Sequence, residues 1–174
     1  DEQHTSGLRF PLDIPVEEFM MLWRNLMSGP KVLSEESLQP VTRWLRKAGR
    51  HVSADDAKKK RVELQNLIAS WFGDDIDLHI SPTLAAKPPK IGEWTHLAPE
   101  EAFSRMVGLG AYTAVYNVGG QPAVSVPMGI SKTGMPLAIQ IAGKVGQDAM
   151  VLRAAYAIET AVGGFIRYPA RFAA

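Results

Sequence analysis

The single Ser-x-x-Lys spacing in this 174-residue sequence is Ser28-Gly29-Pro30-Lys31. Where such a pair transfers acyl groups, the Ser opens a helix and the Lys lies one turn later on the same face. Here the pattern predicts the reverse. Ser28-Gly29-Pro30 closes a helix, and Pro30 breaks the turn that would align Lys31. No Ser, His and Asp stand together in a recognisable catalytic context. Gly119-Gly120 follows no strand and lacks a G-x-G-x-x-G frame, so it is a turn and not a dinucleotide loop. His79 alternates with the apolar Leu78 and Ile80. It reads as a satisfied sheet histidine, the alternative being a base or metal ligand with no second ligand nearby. There is no Cys, which excludes a thiol nucleophile, a thiolate metal site and a disulfide framework in this chain.

The elements that must position any site follow from periodicity and punctuation. Residues 1–12 have no period and are expected to lie extended on the surface. Asp13-Ile14-Pro15 predicts a helix start, with Val16, Phe19, Met20, Trp23, Leu26 and Met27 on one apolar face. The Met20, Met21, Met27 and Trp23 group reads as a core stripe, with a cofactor pocket as its alternative. Ser34 is expected to cap a second helix through Leu38, Val41, Trp44 and Leu45 to Gly49, bent or divided at Pro40. Ser53-x-x-Asp56 predicts a capping box for a third helix with Ala57, Leu64, Leu67, Ile68 and Trp71 inward, ending at Gly73.

Leu78–Thr83 predicts a short strand ending at Pro82, and residues 84–98 a long loop, of the length that is usually functional or disordered. Pro99-Glu100-Glu101 predicts a helix interrupted by Gly108 and Gly110 before Tyr112-Thr113, after which Asn117 to Pro122 makes a tight entry into a hairpin. Its strands are Ala123–Ile130 and the run through Leu137, Ile139 and Ile141. They are joined around Lys132-Thr133-Gly134, where Gly supplies positive φ. Asp148 is expected to cap a final helix bearing Met150, Val151, Ala154, Ala157, Ile158 and Ala161, which Gly163-Gly164 ends.

Composition bounds the class. At 46% hydrophobic and 21% charged, the chain fits one globular domain or a large part of one. Its net charge of +1 comes with no long same-sign block, so no nucleic-acid footprint is visible. Lys58-Lys59-Lys60-Arg61 reads as a solvated helix face. No apolar run approaches the ~20 residues of a membrane span. The expected location is cytoplasmic. A first residue of Asp1 rather than Met suggests a processed, trimmed or partly represented polypeptide.

The run N-V-G-G-Q-P-A-V-S-V-P-M-G-I from Asn117, followed by G-M-P-L-A-I-Q-I-A-G from Gly134, resembles the C-terminal signature of the amidase-signature hydrolases. Eleven positions match at fixed spacing: Asn117, Gly120, Pro122, Ala123, Ser125, Pro127, Gly129, Gly134, Pro136, Gln140 and Gly143. Asp77, Leu78, Pro82 and Thr83 match a further segment near that family's substrate pocket. Agreement extends over roughly residues 50–165. The resemblance implies an α/β fold, part of the amidase-signature fold, with a mixed β-sheet covered by helices on both faces. Residues 1–174 would form the C-terminal portion of a single such domain. Residues 1–73 would be mainly helical, and 74–174 would carry strands, pocket loop, hairpin and final helix.

The family works through a Ser nucleophile, a second Ser on a cis peptide and a Lys base, in a Gly/Ser-rich stretch on the N-terminal side of these motifs. No such stretch occurs here. The resemblance therefore implies no catalytic residue in this chain, which alone would be inactive. Its partner would be the N-terminal part of the same amidase, its substrate a small-molecule amide. No cofactor or metal is implied, and a homo-oligomer is left open. Leaving four apolar hairpin side chains in water would forgo on the order of 6–12 kcal/mol, so stability is expected from that missing part.

By resemblance the pocket candidates are Tyr112, Thr113 and Asn117 on one wall and Thr83, with Pro82, and Trp94 on the other. Packing alone is the alternative for Tyr112, and hydrogen bonding to the turn backbone for Asn117. The family's glutamine-amide-transferring subunits carry an acidic residue a few positions before this Thr. Here those positions read Gly108-Leu109-Gly110, which favours a neutral or aromatic amide. The rival reading is a non-catalytic binding or scaffold module derived from an amidase.

Overall fold

A computed structural model describes residues 16–163. The expectations for residues 1–12, for the helix start at 13–15 and for Gly164 lie outside the described residues. The chain divides into two compact units, Asp1–Arg61 and Val62–Ala174. The division falls within a helix, ahead of the change in character expected between residues 73 and 74.

In the first unit, α1 (Val16–Ser28) packs on α2 (Pro40–Gly49). Glu17 and Glu18 occupy the first turn of α1, where the helix end is positive. Met20, Leu22 and Leu45 are buried, whereas Leu26, expected on the inner face, is exposed. A Cβ on Gly49 would run into the backbone carbonyl of Arg24, 2.6 Å from its carbon and 2.9 Å from Ser28 Cβ. Only glycine allows the helices to cross this closely. Arg24 in turn lies over the Trp44 ring, 5.7 Å from its centroid.

Pro40 does not bend or divide α2 but opens it. Its fixed φ and missing N–H suit the first turn, where that donor has no helical partner. Ser34 accordingly serves a turn and not the helix, its Oγ accepting from the Glu36 N–H at 3.2 Å. The buried Arg46 ties this connection to α1. It donates to the carbonyls of Met27 at 2.6 Å and Pro30 at 3.0 Å, and to both Glu35 carboxylate oxygens at 2.9–3.1 Å. Hydrogen bonding from Arg46 holds the Glu35 carboxyl below the usual carboxylate range. Ser28 is the last residue of α1, as predicted, and its hydroxyl donates back to the Asn25 carbonyl at 2.9 Å.

Helix α3 (Ala54–Ser70) begins as expected, the Asp56 N–H donating to Ser53 Oγ at 3.3 Å. Ala57, Leu64 and Ile68 are buried on its inner face, but Leu67 is exposed and Trp71 half-buried. Phe72, in the turn that follows, takes the core position instead.

The second unit carries β1 (Leu78–Pro82), α4 (Pro99–Leu109), α5 (Ala111–Gly119), β2 (Ala123–Ile130), β3 (Pro136–Gly143) and α6 (Asp148–Ala161). The strands form one antiparallel sheet in the order β1-β3-β2. The mixed pairing implied for the complete fold would require strands beyond these three. Ile80, Ile141 and Val124 pair across one row, and Ser81, Gln140 and Ser125 across the next. Because side chains alternate along a strand, these rows face opposite sides.

Helix α6 covers the aliphatic side. A Cβ on Gly143 would stand 2.7 Å from Val151 Cγ2, so glycine sets how closely α6 approaches β3. Asp148 is the first residue of α6 and does not cap it; Gln147 holds the cap position without a side-chain bond. On the other side lies α5, a helix where the glycine punctuation predicts only a tight approach to the hairpin. It ends at Gly120, whose φ of +77° closes the helix in the left-handed region.

Candidate functional site

The side of the sheet facing α5 is built from small and polar residues. Gln140 is buried at the centre of its row and uses one amide nitrogen twice, donating to Ser81 Oγ at 3.2 Å and to the Tyr112 carbonyl at 3.0 Å. Thr83, just past the end of β1, meets Ser125 of β2 through their hydroxyls at 2.9 Å. Ser81 is buried and Ser125 exposed, so the row runs from the interior to an open end. The pairing Ser81–Gln140–Ser125 follows from strand register, which sets the three side chains side by side on one face.

The next row holds His79, Ala142 and Ala123. His79 stacks on Phe72 with centroids 4.1 Å apart and an interplanar angle of 11°. Its Nδ1 lies 3.3 Å from Tyr116 Oη. Burial pushes its pKa below the ordinary 6.5, outweighing a hydrogen bond with the Trp71 backbone that acts the other way. Burial also pushes the Tyr116 phenol up to about 12. Both groups are therefore neutral at pH 7, and the histidine is satisfied within the sheet.

The lowered His79 pKa makes the stability of the fold depend on pH through the imidazole proton. As pH falls below 6.5, the unfolded chain takes up this proton before the folded one. Stability contributed by neutral His79 is full above that pH and declines from there down through the folded value. Urea midpoints measured between pH 7.5 and about 5 are expected to fall more steeply for wild type than for His79→Gln. Equal slopes would contradict this burial of the imidazole.

The five residues singled out from sequence do not all converge. Tyr112 and Thr83 belong to the polar cluster, the first through its carbonyl. Thr113 is half-buried in the first turn of α5, its hydroxyl donating to the Gly110 carbonyl at 2.9 Å. Asn117 is exposed one helical turn farther along. Trp94 stands in a turn of the 84–98 loop, its carbonyl accepting from the Leu97 N–H at 3.2 Å, and no described residue bonds it to the row.

Ser81, Ser125, Gln140 and Gln121 are cluster or neighbouring residues that the sequence does not single out as candidates. A polar side chain recurring inside an apolar strand is the available signal for Ser125 and Gln140. Gln121 is buried between α5 and β2 with neither amide atom hydrogen-bonded. Its amide lies against Gly119, where a Cβ would come within 2.8 Å of Gln121 Cδ.

The cluster is a set of neutral donors and acceptors, able to hydrogen-bond a neutral polar group. The bonds of Ser81, Thr83 and Ser125 go to an amide or to another hydroxyl. Neither is a base that could activate a serine or threonine as nucleophile. Among the described residues, no three His, Asp or Glu side chains gather in a way that could hold a metal, and no helix is long and apolar enough to cross a membrane.

Comparison with known proteins gives one family. A family model described as amidase matches residues 23–152. A putative amidase of Synechocystis is 31% identical over 149 residues, which cover 86% of this chain and 29% of that protein. A 6-aminohexanoate-cyclic-dimer hydrolase of Paenarthrobacter ureafaciens is 34% identical over 109 residues, 59% of this chain and 22% of the relative. The structure of a 6-aminohexanoate cyclic dimer hydrolase complexed with substrate superposes with a TM-score of 0.72 at 26% identity, covering 87% of this chain and 36% of that one. The chain thus spans about a third or less of the length of these proteins.

Proposed function

We propose that this chain, which belongs to the amidase family, forms the substrate-pocket wall and part of the sheet of an enzyme that hydrolyses an amide C–N bond. The products are a carboxylate and an amine or ammonia. The Ser–cis-Ser–Lys machinery lies in an N-terminal part of the same amidase, outside these residues. The observation that carries this reading is the polar row on the α5 side of the sheet. Gln140 and Ser125 of this row are signature residues, the pocket candidates Thr83 and Tyr112 bond to it, and it holds no activated nucleophile.

Two further features support a larger assembly. Among the described residues both β1 and β2 are edges of the three-stranded sheet, and edges of this kind pair with more chain or need protection. Ile80 and Leu137 of the sheet are each 49% exposed, surface that additional strands or helices would bury. The substrate is a small neutral or aromatic amide. The cluster carries no charge, and Gly108-Leu109-Gly110 supplies no acidic group to hold an ammonium. The enzyme works in the cytoplasm and is open to homo-oligomerisation. A non-catalytic module derived from an amidase is the alternative, distinguished by activity.

In the protein that contains these residues, Thr113→Ala and Asn117→Ala are each expected to raise KM for an aryl amide by roughly three- to tenfold, the loss of one hydrogen bond. Steady-state hydrolysis measures this. An unchanged KM in both variants would remove them from the pocket wall, and no hydrolysis by wild type would favour the non-catalytic module.

A further inference from the structure

Helix α5 is only nine residues long, and its isolated helical stability is marginal at that length. Its placement therefore depends on what holds it in place, which includes the burial of Val115 and Tyr116 and two bonds from the same sheet face. Gln140 donates to the Tyr112 carbonyl at 3.0 Å, and His79 Nδ1 meets Tyr116 Oη at 3.3 Å. Tyr112 and Tyr116 are four residues apart, so they lie along one stripe of the helix. Thr113 and Asn117 are each one residue farther on and form a parallel stripe, about 100° round the axis.

We propose that Gln140 and the His79–Tyr116 pair act as a two-point clamp that fixes α5 on the sheet and so orients Thr113 and Asn117. Gln140 is the principal positioning residue. Its nitrogen reaches three elements at once: it sits on β3, donates to Ser81 on β1, and donates to α5. A methionine of similar length would fill the site but supply no donor. The second amide hydrogen on Ser81 fixes the rotamer that aims the first at Tyr112, since both come from one NH2 group. The clamp itself is a statement about α5. Its bearing on substrate rests on the proposed amidase reading.

Amide hydrogen exchange on the protein carrying these residues tests it. Gln140→Met is expected to speed exchange across residues 113–119 by roughly tenfold relative to wild type, while amides of the β2–β3 pair keep their rates. Tyr116→Phe, which removes only the second point, is expected to do the same to a smaller degree without altering any strand. If Gln140→Met does not fold, Tyr116→Phe decides. Unchanged α5 exchange would overturn the clamp, and so would acceleration that merely keeps step with the β2–β3 amides. In an active enzyme, Gln140→Met is further expected to raise KM several-fold with kcat less affected. Local α5 acceleration without amide hydrolysis in wild type would leave the clamp standing and remove the functional reading.

Discussion

Gly49→Ala is expected to force α1 and α2 apart and cost the first unit about 3 kcal/mol, a large effect for one methyl group. The added Cβ would fall on the Arg24 carbonyl, 2.6 Å from its carbon, and 2.9 Å from Ser28 Cβ. The principal obstacle is backbone and cannot rotate away. Gly108→Ala is the matched control. Gly108 also lies in a helix, α4, but a Cβ there would meet nothing within 4 Å. Its substitution is expected to stabilise by about 0.5–1 kcal/mol, because alanine loses less backbone entropy on folding. Equilibrium urea unfolding reads both signs. A Gly49→Ala midpoint equal to wild type would contradict the close crossing.

The second large effect is expected at Phe72. Its side chain is 1% exposed, among the largest fully buried groups, and it stacks on His79 with centroids 4.1 Å apart. Phe72→Ala should lose about 3–5 kcal/mol through lost transfer free energy and the cavity left behind. That is a large fraction of the stability of an ordinary domain. Phe72→Leu, which refills most of the volume, should lose distinctly less. Measurement is again by urea unfolding, at pH 7.5 where His79 is neutral. A loss below about 1 kcal/mol for Phe72→Ala would contradict its place in the core.

Much of the hairpin is legible in the sequence because its signals are local. The Gly134 turn and the two apolar runs predict the β2–β3 pairing, and the register places Val124 opposite Ile141 and Val126 opposite Ile139. The α5 helix escapes a sequence reading for a local reason too. Gly108, Gly110, Gly119 and Gly120 read as turn punctuation, and α5, only nine residues long, sits between Gly110 and Gly120. Yet Tyr112, Val115, Tyr116 and Gly119 recur at helical spacing, and Val115, Tyr116 and Gly119 are buried. At Ser34 and Asp148 the residue types signal a helix N-terminus, but α2 starts later, at Pro40, and Asp148 is the first residue of α6 rather than its cap. A capping preference fixes the neighbourhood of a terminus more firmly than its first residue.

The site is less legible than the fold. Thr83 and Tyr112 come from motif resemblance, but the cluster they belong to is centred on Gln140, whose bond to Ser81 spans 59 residues of sequence. Thr83 and Ser125 are 42 apart. Such contacts depend on strand order, and β3 standing between β1 and β2 is a tertiary choice that periodicity does not express. The interchange of Trp71 and Phe72 has a similar origin. Beyond Ser70 the chain leaves the helix for a turn, so continuing the helical period by one more residue selects the wrong aromatic.

The central claim is that these residues wall a pocket whose nucleophile lies elsewhere. Covalent labelling of the purified protein with a fluorophosphonate, a reagent for activated serines, followed by mapping of the modified peptide, tests it most directly. The expected adduct is on a Ser in a Gly/Ser-rich peptide outside residues 1–174, with Ser28, Ser81 and Ser125 unmodified. An adduct on any of these three would place the nucleophile in this chain and contradict the account.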